Sequence, residues 1–201
     1  MRFTENKSGE LESFRDLLTT RKKLTQVALG IVPATYLLQN CRLINVFSRE
    51  IYTTNIAIYQ DRIASISASI DLVAEKIIDC SGLYAAPGLM DAHMHVDTTM
   101  LWPGELARLL VPSGTTTVFV DTTNLYTTGG VGAVRALIDS FKHLPLKGYI
   151  SAPSYSPLNP ELETVAKNLT NEDLAEMLSW PECVGIGETV ASEILRGSDE
   201  Y

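Results

Sequence analysis

Hydrophobic and polar positions follow three different rhythms along the chain. Between residues 9 and 29, Leu11, Phe14, Leu17 and Leu18 recur at helical spacing. "KKLTQVAL" continues the pattern until Gly30 supplies a stop. From Thr35 the period shortens to that of strands. "TYLLQNCRLINVF", "NIAIYQDRIASIS" and "KIIDC" are β-rich runs punctuated by Asn40, Asn45 and Asp61, and Gln60-Asp61 joins two alternating runs as a hairpin turn does. The expectation is a helical segment over 1–34 and a small antiparallel sheet module over 35–82.

After Ser81-Gly82 strands alternate with helices. "AAPGLMDAHMHV" reads as a buried strand. "WPGELARLLVPSG" reads as a helix with Pro103 in its first turn, Glu105 at the positive end of the dipole and Gly114 beyond its end. "TTTVFVD" is the next strand, and "GVGAVRALIDSFKHL" the next helix, with Val131, Val134, Leu137, Ile138 and Phe141 on one face. "LKGYISAPS" is a third strand. "LTNEDLAEMLSW" opens on Thr170 with Asp173 three residues later, as a capping box does, and "CVGIGE" is a fourth strand. Such alternation predicts parallel βαβ units. The fold class read from it is α/β: a small sheet module, then roughly the first half of a (β/α)8 barrel over 83–201. A whole barrel takes about 250 residues, and only about 115 follow Pro87. The chain is therefore expected to be the N-terminal part of a longer protein.

Composition narrows the function classes. The chain has 201 residues, 45% of them apolar and 20% charged, as in ordinary globular proteins. A net charge of −8 offers no clustered cations for phosphate, so nucleic acid is not an expected partner. The start, "MRFTENKSGE", lacks an apolar signal core. The run "VALGIVPATYLL" is broken by Gly30 and Pro33 and too short to span a bilayer. No membrane association and a cytoplasmic location are expected. Cys41, Cys80 and Cys183 are odd in number and widely spaced, which favours reduced, buried thiols over a disulfide framework or a zinc knuckle.

The chemistry concentrates in "PGLMDAHMHVDTT", Pro87 to Thr99, which holds two of the three histidines. Alternate residues of a strand share a face, so Asp91, His93 and His95 point one way, with His93 and His95 about 6.6–6.8 Å apart along the backbone. Two imidazoles so placed can lean toward one ion, although two donors do not fill a coordination sphere. Glu188 ends "VGIGE", where Gly185 and Gly187 leave room beside the strand and the carboxylate emerges at the end where barrels carry chemistry. Asp121 closes "TTTVFVD", suited either to line a pocket or, more commonly, to cap the next turn. Asp97 follows the histidine pair and is a second candidate pocket residue. Asp91 suits the orientation of a ligand, and His143 a helix C-terminus.

"PGLMDAHMH" resembles the P-G-apolar-apolar-D-x-H-x-H signature of the amidohydrolase superfamily of metal-dependent hydrolases. "HMHVDTTMLWPGELARLLVPSGTTTV", "LPLKGYISAPS", "LSWPECVGIGE" and the leading "LINVFSREIYTTNIAIYQDRIASI" are similar to segments of its adenine deaminases, from about Leu24 onward. The resemblance implies that the sheet module over 35–82 is the N-terminal part of a β-sandwich flanking the barrel. The resemblance implies that His93 and His95 are metal ligands and that Glu188 is a bridging, catalytic ligand. It implies a divalent cofactor, Mn²⁺ or Fe²⁺ with Zn²⁺ as a further candidate, binuclear in the full-length enzyme. The reaction implied is hydrolytic deamination of adenine, a purine base, to hypoxanthine and ammonia, by a protein that is a homo-oligomer at full length. Further histidines from the fifth and sixth strands and an aspartate from the eighth are also implied. No histidine follows His143, so the chain alone is expected to be inactive. The Asp97-Thr98-Thr99 run stands where the family usually has Glu-Ser-Ser. "DTTN", "PSYSP" and "ETVA" stand where it has Asp-Pro-His-Glu, Pro-Ser-Cys-Val-Pro and a Glu-Met-Met-type run. A related enzyme for another cyclic amide or aminopurine, of dihydroorotase or hydantoinase type, and a non-catalytic truncated product are the alternatives.

Overall fold

The computed structural model describes residues 7–68, 72–159 and 161–189, with side chains from residue 17 onward. It divides into two compact units, Met1–Pro87 and Gly88–Tyr201.

In the first unit, helix α1 (Lys7–Ala28) precedes strands β1 (Ala34–Asn45), β2 (Glu50–Tyr59), β3 (Arg62–Ile66), β4 (Ala74–Asp79) and β5 (Tyr84–Ala85). The helix stops where the sequence predicts, with Gly30 at φ 71°. Leu17 and Leu18 are about half exposed, and the side chains of Leu11 and Phe14 lie outside the described residues. The β2–β3 hairpin turns at Gln60-Asp61, with Gln60 at φ 55°. Asn40 does not end a strand. It sits at φ 59° in a bulge between Leu38 and Cys41, and β1 runs on for 12 residues. The expected all-antiparallel module is corrected as well. β1 pairs antiparallel with β2 but parallel with β4 and β5, which gives one mixed five-stranded sheet. Alternation marks a half-buried strand and says nothing of the direction of its partner. Val27, Ala34, Leu37 and Ala57 form one buried cluster of this unit, and Cys41, Leu43, Ile56 and Cys80 another.

The second unit carries β6 (Leu89–Met94), α2 (Pro103–Leu110), β7 (Thr115–Asp121), α3 (Thr123–Phe141), β8 (Lys147–Ala152), α4 (Asn171–Leu178) and β9 (Cys183–Ile186). Its sheet runs β6-β7-β8-β9 with every pair parallel, the order of four successive barrel units. Pro103 occupies the first turn of α2, and the Asp173 N–H donates to Thr170 Oγ1 at 3.1 Å to open α4. α3 begins earlier than its apolar pattern does, and Gly130, at φ 65° and ψ −161°, kinks it where the predicted helix starts. Val134, Leu137, Ile138 and Phe141 are buried with Val118, Val120, Ile150 and Met177, and Val131 packs against them. Gly88 has a steric duty. A β-carbon there would lie 2.0 Å from Thr116 Oγ1 and 2.8 Å from Thr116 Cβ. Among the described residues no helix is long and apolar enough to cross a membrane.

Candidate metal centre

The two histidines and the glutamate arrive from opposite edges of the second unit's sheet, at the C-terminal end of its strands. His93 lies in β6, and His95 follows Met94 at the strand's end. Glu188 lies two residues beyond β9. His93 Nε2 is 3.0 Å from Glu188 Oε1, His95 Nε2 is 3.3 Å from the same oxygen, and the two nitrogens are 3.3 Å apart. The rings meet edge to face, with centroids 5.1 Å apart. His93 and Glu188 are about half exposed, and His95 is more sheltered. His95 Nδ1 is buried and has no hydrogen-bond partner among the described residues.

These spacings suit a cation. Two donors on one ion, at bonds of about 2.1 Å, lie about 3.0 Å apart at right angles and about 3.4 Å apart in a tetrahedron. The observed 3.0 to 3.3 Å spans that interval. Three lone-pair-bearing atoms this close repel one another unless a proton or a cation lies among them. Two imidazoles and a carboxylate form the borderline donor set that first-row divalent metals take.

The candidate pocket residues stand beside this group rather than within it. Asp121 is 1% exposed and fully engaged. Its Oδ1 accepts from the Thr123 N–H at 2.9 Å, the turn-capping use. Its Oδ2 accepts from the Glu188 N–H at 3.1 Å and from Ser151 Oγ at 3.4 Å. Burial acts to raise the pKa of this carboxyl, but the donors from Thr123 and Glu188 and the neighbouring His95 outweigh it and hold it below the usual range. Asp97 is exposed and accepts from Asn124 Nδ2 at 2.9 Å. Both aspartates line a small, mostly apolar cavity with Val96, Leu101, Trp102 and Leu137. Asp91 Oδ1 accepts the His93 N–H at 3.2 Å, so it braces the strand that presents the histidines. His143 is exposed in the turn after α3. "ETVA" extends past residue 189, so Val190 and Ala191 lie outside the described residues.

One partner of Glu188 escapes sequence reasoning. Ser154, in "PSYSP", donates its hydroxyl to the Glu188 carbonyl. Tyr155 beside it is half buried. Its hydroxyl is pushed above the ordinary tyrosine range by burial, and further by the charges of Glu188 and Asp121. Only the Pro-Ser lead of that loop hinted at a polar contact.

Known proteins give the arrangement a context. No family model matches the chain. Over 89% of its length it is 35% identical to an adenine deaminase of Moorella thermoacetica (strain ATCC 39073 / JCM 9320). Over 87% it is 37% identical to an adenine deaminase of Clostridium botulinum (strain ATCC 19397 / Type A). The chain is related to the adenine deaminases. It spans about 30% of the length of these relatives. Among solved structures, the atrazine chlorohydrolase of Arthrobacter aurescens TC1, complexed with zinc, matches with a TM-score of 0.54 at 15% identity. That match covers 75% of this chain and 46% of the other, and is a likeness of fold.

Proposed function

We propose that the chain supplies the first metal ligands of an adenine-deaminase-type hydrolase, which converts adenine to hypoxanthine and ammonia. The observation that carries this reading is the meeting of His93, His95 and Glu188 within 3.3 Å, in a chain related to adenine deaminases. His93, His95 and Glu188 would hold the ion, Mn²⁺ or Fe²⁺ in preference to Zn²⁺, with a second ion beside it once the remaining ligands are supplied. A divalent ion held there supplies Lewis acidity and makes hydroxide available near pH 7. The imidazoles of His93 and His95 would hold such an ion at the end of the strand, and the Glu188 carboxylate would serve as a shared ligand or would carry a proton toward the leaving ammonia. The reading implies ligands from outside these 201 residues. It also carries a purine base as substrate, a place in purine metabolism, a cytoplasmic location and homo-oligomeric assembly at full length.

Ammonia release from adenine by the Mn²⁺-loaded protein at its relatives' full length tests the reading. His93→Ala is expected to lower turnover at least a thousandfold, and retained turnover would remove the metal from the mechanism. The 201-residue chain alone is expected to release none. One observation favours a second reading. Asn124, in the first turn of α3 and in a run that departs from the family resemblance, donates to Asp97, in another run that departs. A jointly altered pocket wall suits a different cyclic amide or aminopurine. Turnover of such a compound, with adenine left intact, would favour that reading.

A further inference from the structure

Glu188 lies past the last residue of β9, where a strand's N–H and C=O groups ordinarily turn to solvent. Here both are taken by side chains from the ends of two other strands. Asp121, the last residue of β7, accepts the N–H at 3.1 Å, and Ser154, two residues beyond β8, donates to the carbonyl. Asp121 is itself fixed by the Thr123 N–H and Ser151 Oγ. Gly187 makes the approach feasible, since a β-carbon there would stand 2.2 Å from Asp121 Oδ2 and 3.0 Å from Ser151 Oγ. The Gly187 N–H meanwhile donates to the Ala152 carbonyl at 2.7 Å, continuing the β8–β9 ladder up to the gripped residue.

We propose that Asp121 and Ser154 are positioning residues that grip the main chain of Glu188 from two sides and so set where its carboxylate meets His93 and His95. The inference rests on the metal reading above and adds to it the groups that aim the glutamate. Neither residue touches the ion; each acts through the Glu188 backbone. Such outer partners typically change metal affinity by about 10- to 100-fold when removed.

The test is a Mn²⁺ titration of the 201-residue chain, read by the electron paramagnetic resonance signal of the free ion, with thermal unfolding followed by circular dichroism. The parent chain is expected to take up Mn²⁺. Ser154→Ala is expected to weaken uptake about tenfold while its unfolding midpoint stays close to the parent's. Ser154→Thr, which keeps the hydroxyl, should return affinity to within about threefold of the parent. Gly187→Ala, which drives a methyl group into the Asp121 carboxylate, should weaken uptake at least as much as Ser154→Ala. Ser154→Ala introduces no clash and carries the test if Gly187→Ala does not fold. Uptake by Ser154→Ala equal to the parent's would overturn the inference and leave the metal reading standing. A Ser154→Thr chain as weak as Ser154→Ala would overturn it too, since the hydroxyl would then not be the active group. Failure of the parent itself to take up Mn²⁺ would overturn the inference, since the aim of Glu188 would then not set the affinity of this chain, whereas the metal reading is tested by turnover at the relatives' full length.

Discussion

At the scale of single residues, the glycines that matter are those where another group occupies the space of a side chain. Gly88, in the Pro-Gly lead into β6, is the clearest. The β-carbon of an alanine would lie 2.0, 2.6 and 2.8 Å from three atoms of Thr116. Overpacking of this kind costs about 1–3 kcal/mol. Gly88→Ala is therefore expected to lower unfolding stability by that amount in a urea titration. Thr116→Ala removes the two closest of those atoms, so the double variant should recover part of the loss, a coupling that a double-mutant cycle measures directly. Additive losses would mean that the contact with Thr116 is not the cause. The sequence marks this glycine only as a turn residue, because its neighbour in space is 28 positions away in the chain.

At the scale of elements, helices and strands were far more legible than the pairing between them. Each strand and helix expected after Ser81-Gly82 is present, since alternation, caps and stops are written within a few residues. The parallel pairing of β1 with β4 was not legible, and neither was the bulge at Asn40. Of the candidate site, the histidine pair was local and visible, whereas the grip on Glu188 joins residues 34 and 67 positions apart. Another long-range contact ties α3 to α4. Tyr126 is fully buried, and its hydroxyl lies 2.6 Å from an Asp173 carboxylate oxygen and 3.0 Å from the Asn168 carbonyl. Burial raises the pKa of this phenol well above the ordinary tyrosine range, and the Asp173 carboxylate raises it further. The sign follows from linkage. The raised phenol contributes stability that is whole below the unfolded value of about 10, and that is lost as pH climbs from there toward the folded value. Tyr126→Phe should cost about 1.5–3 kcal/mol at neutral pH, the scale of a hydrogen bond to a charged group. It should also flatten the fall in stability above about pH 10. Urea titrations of both proteins at neutral and alkaline pH read the two effects, and parallel pH profiles would remove this role for Tyr126.

At the scale of the whole molecule, the second unit's sheet has a property that its single elements do not. Parallel strands are ordinarily covered on both faces and closed or flanked at their edges. Here β6 pairs only with β7 and β9 only with β8 among the described residues. The two edge strands also expose large apolar side chains: Leu89 and Met90 on β6, Val184 and Ile186 on β9, each more than half exposed. Isolated exposed leucines need no explanation, but apolar residues along unpaired strand edges invite pairing with another chain. The folded 201-residue chain is thus expected to bind the dye ANS and to sediment with concentration-dependent association. Lysine at an edge opposes such pairing by charge and by the cost of desolvation. Leu89→Lys combined with Ile186→Lys should therefore reduce both signals several-fold while far-ultraviolet circular dichroism stays unchanged. His93, His95 and Glu188 are presented by the same two edges, so whatever covers those edges also borders the candidate metal centre. Dye binding that persists in the double variant would locate the exposed apolar surface away from β6 and β9.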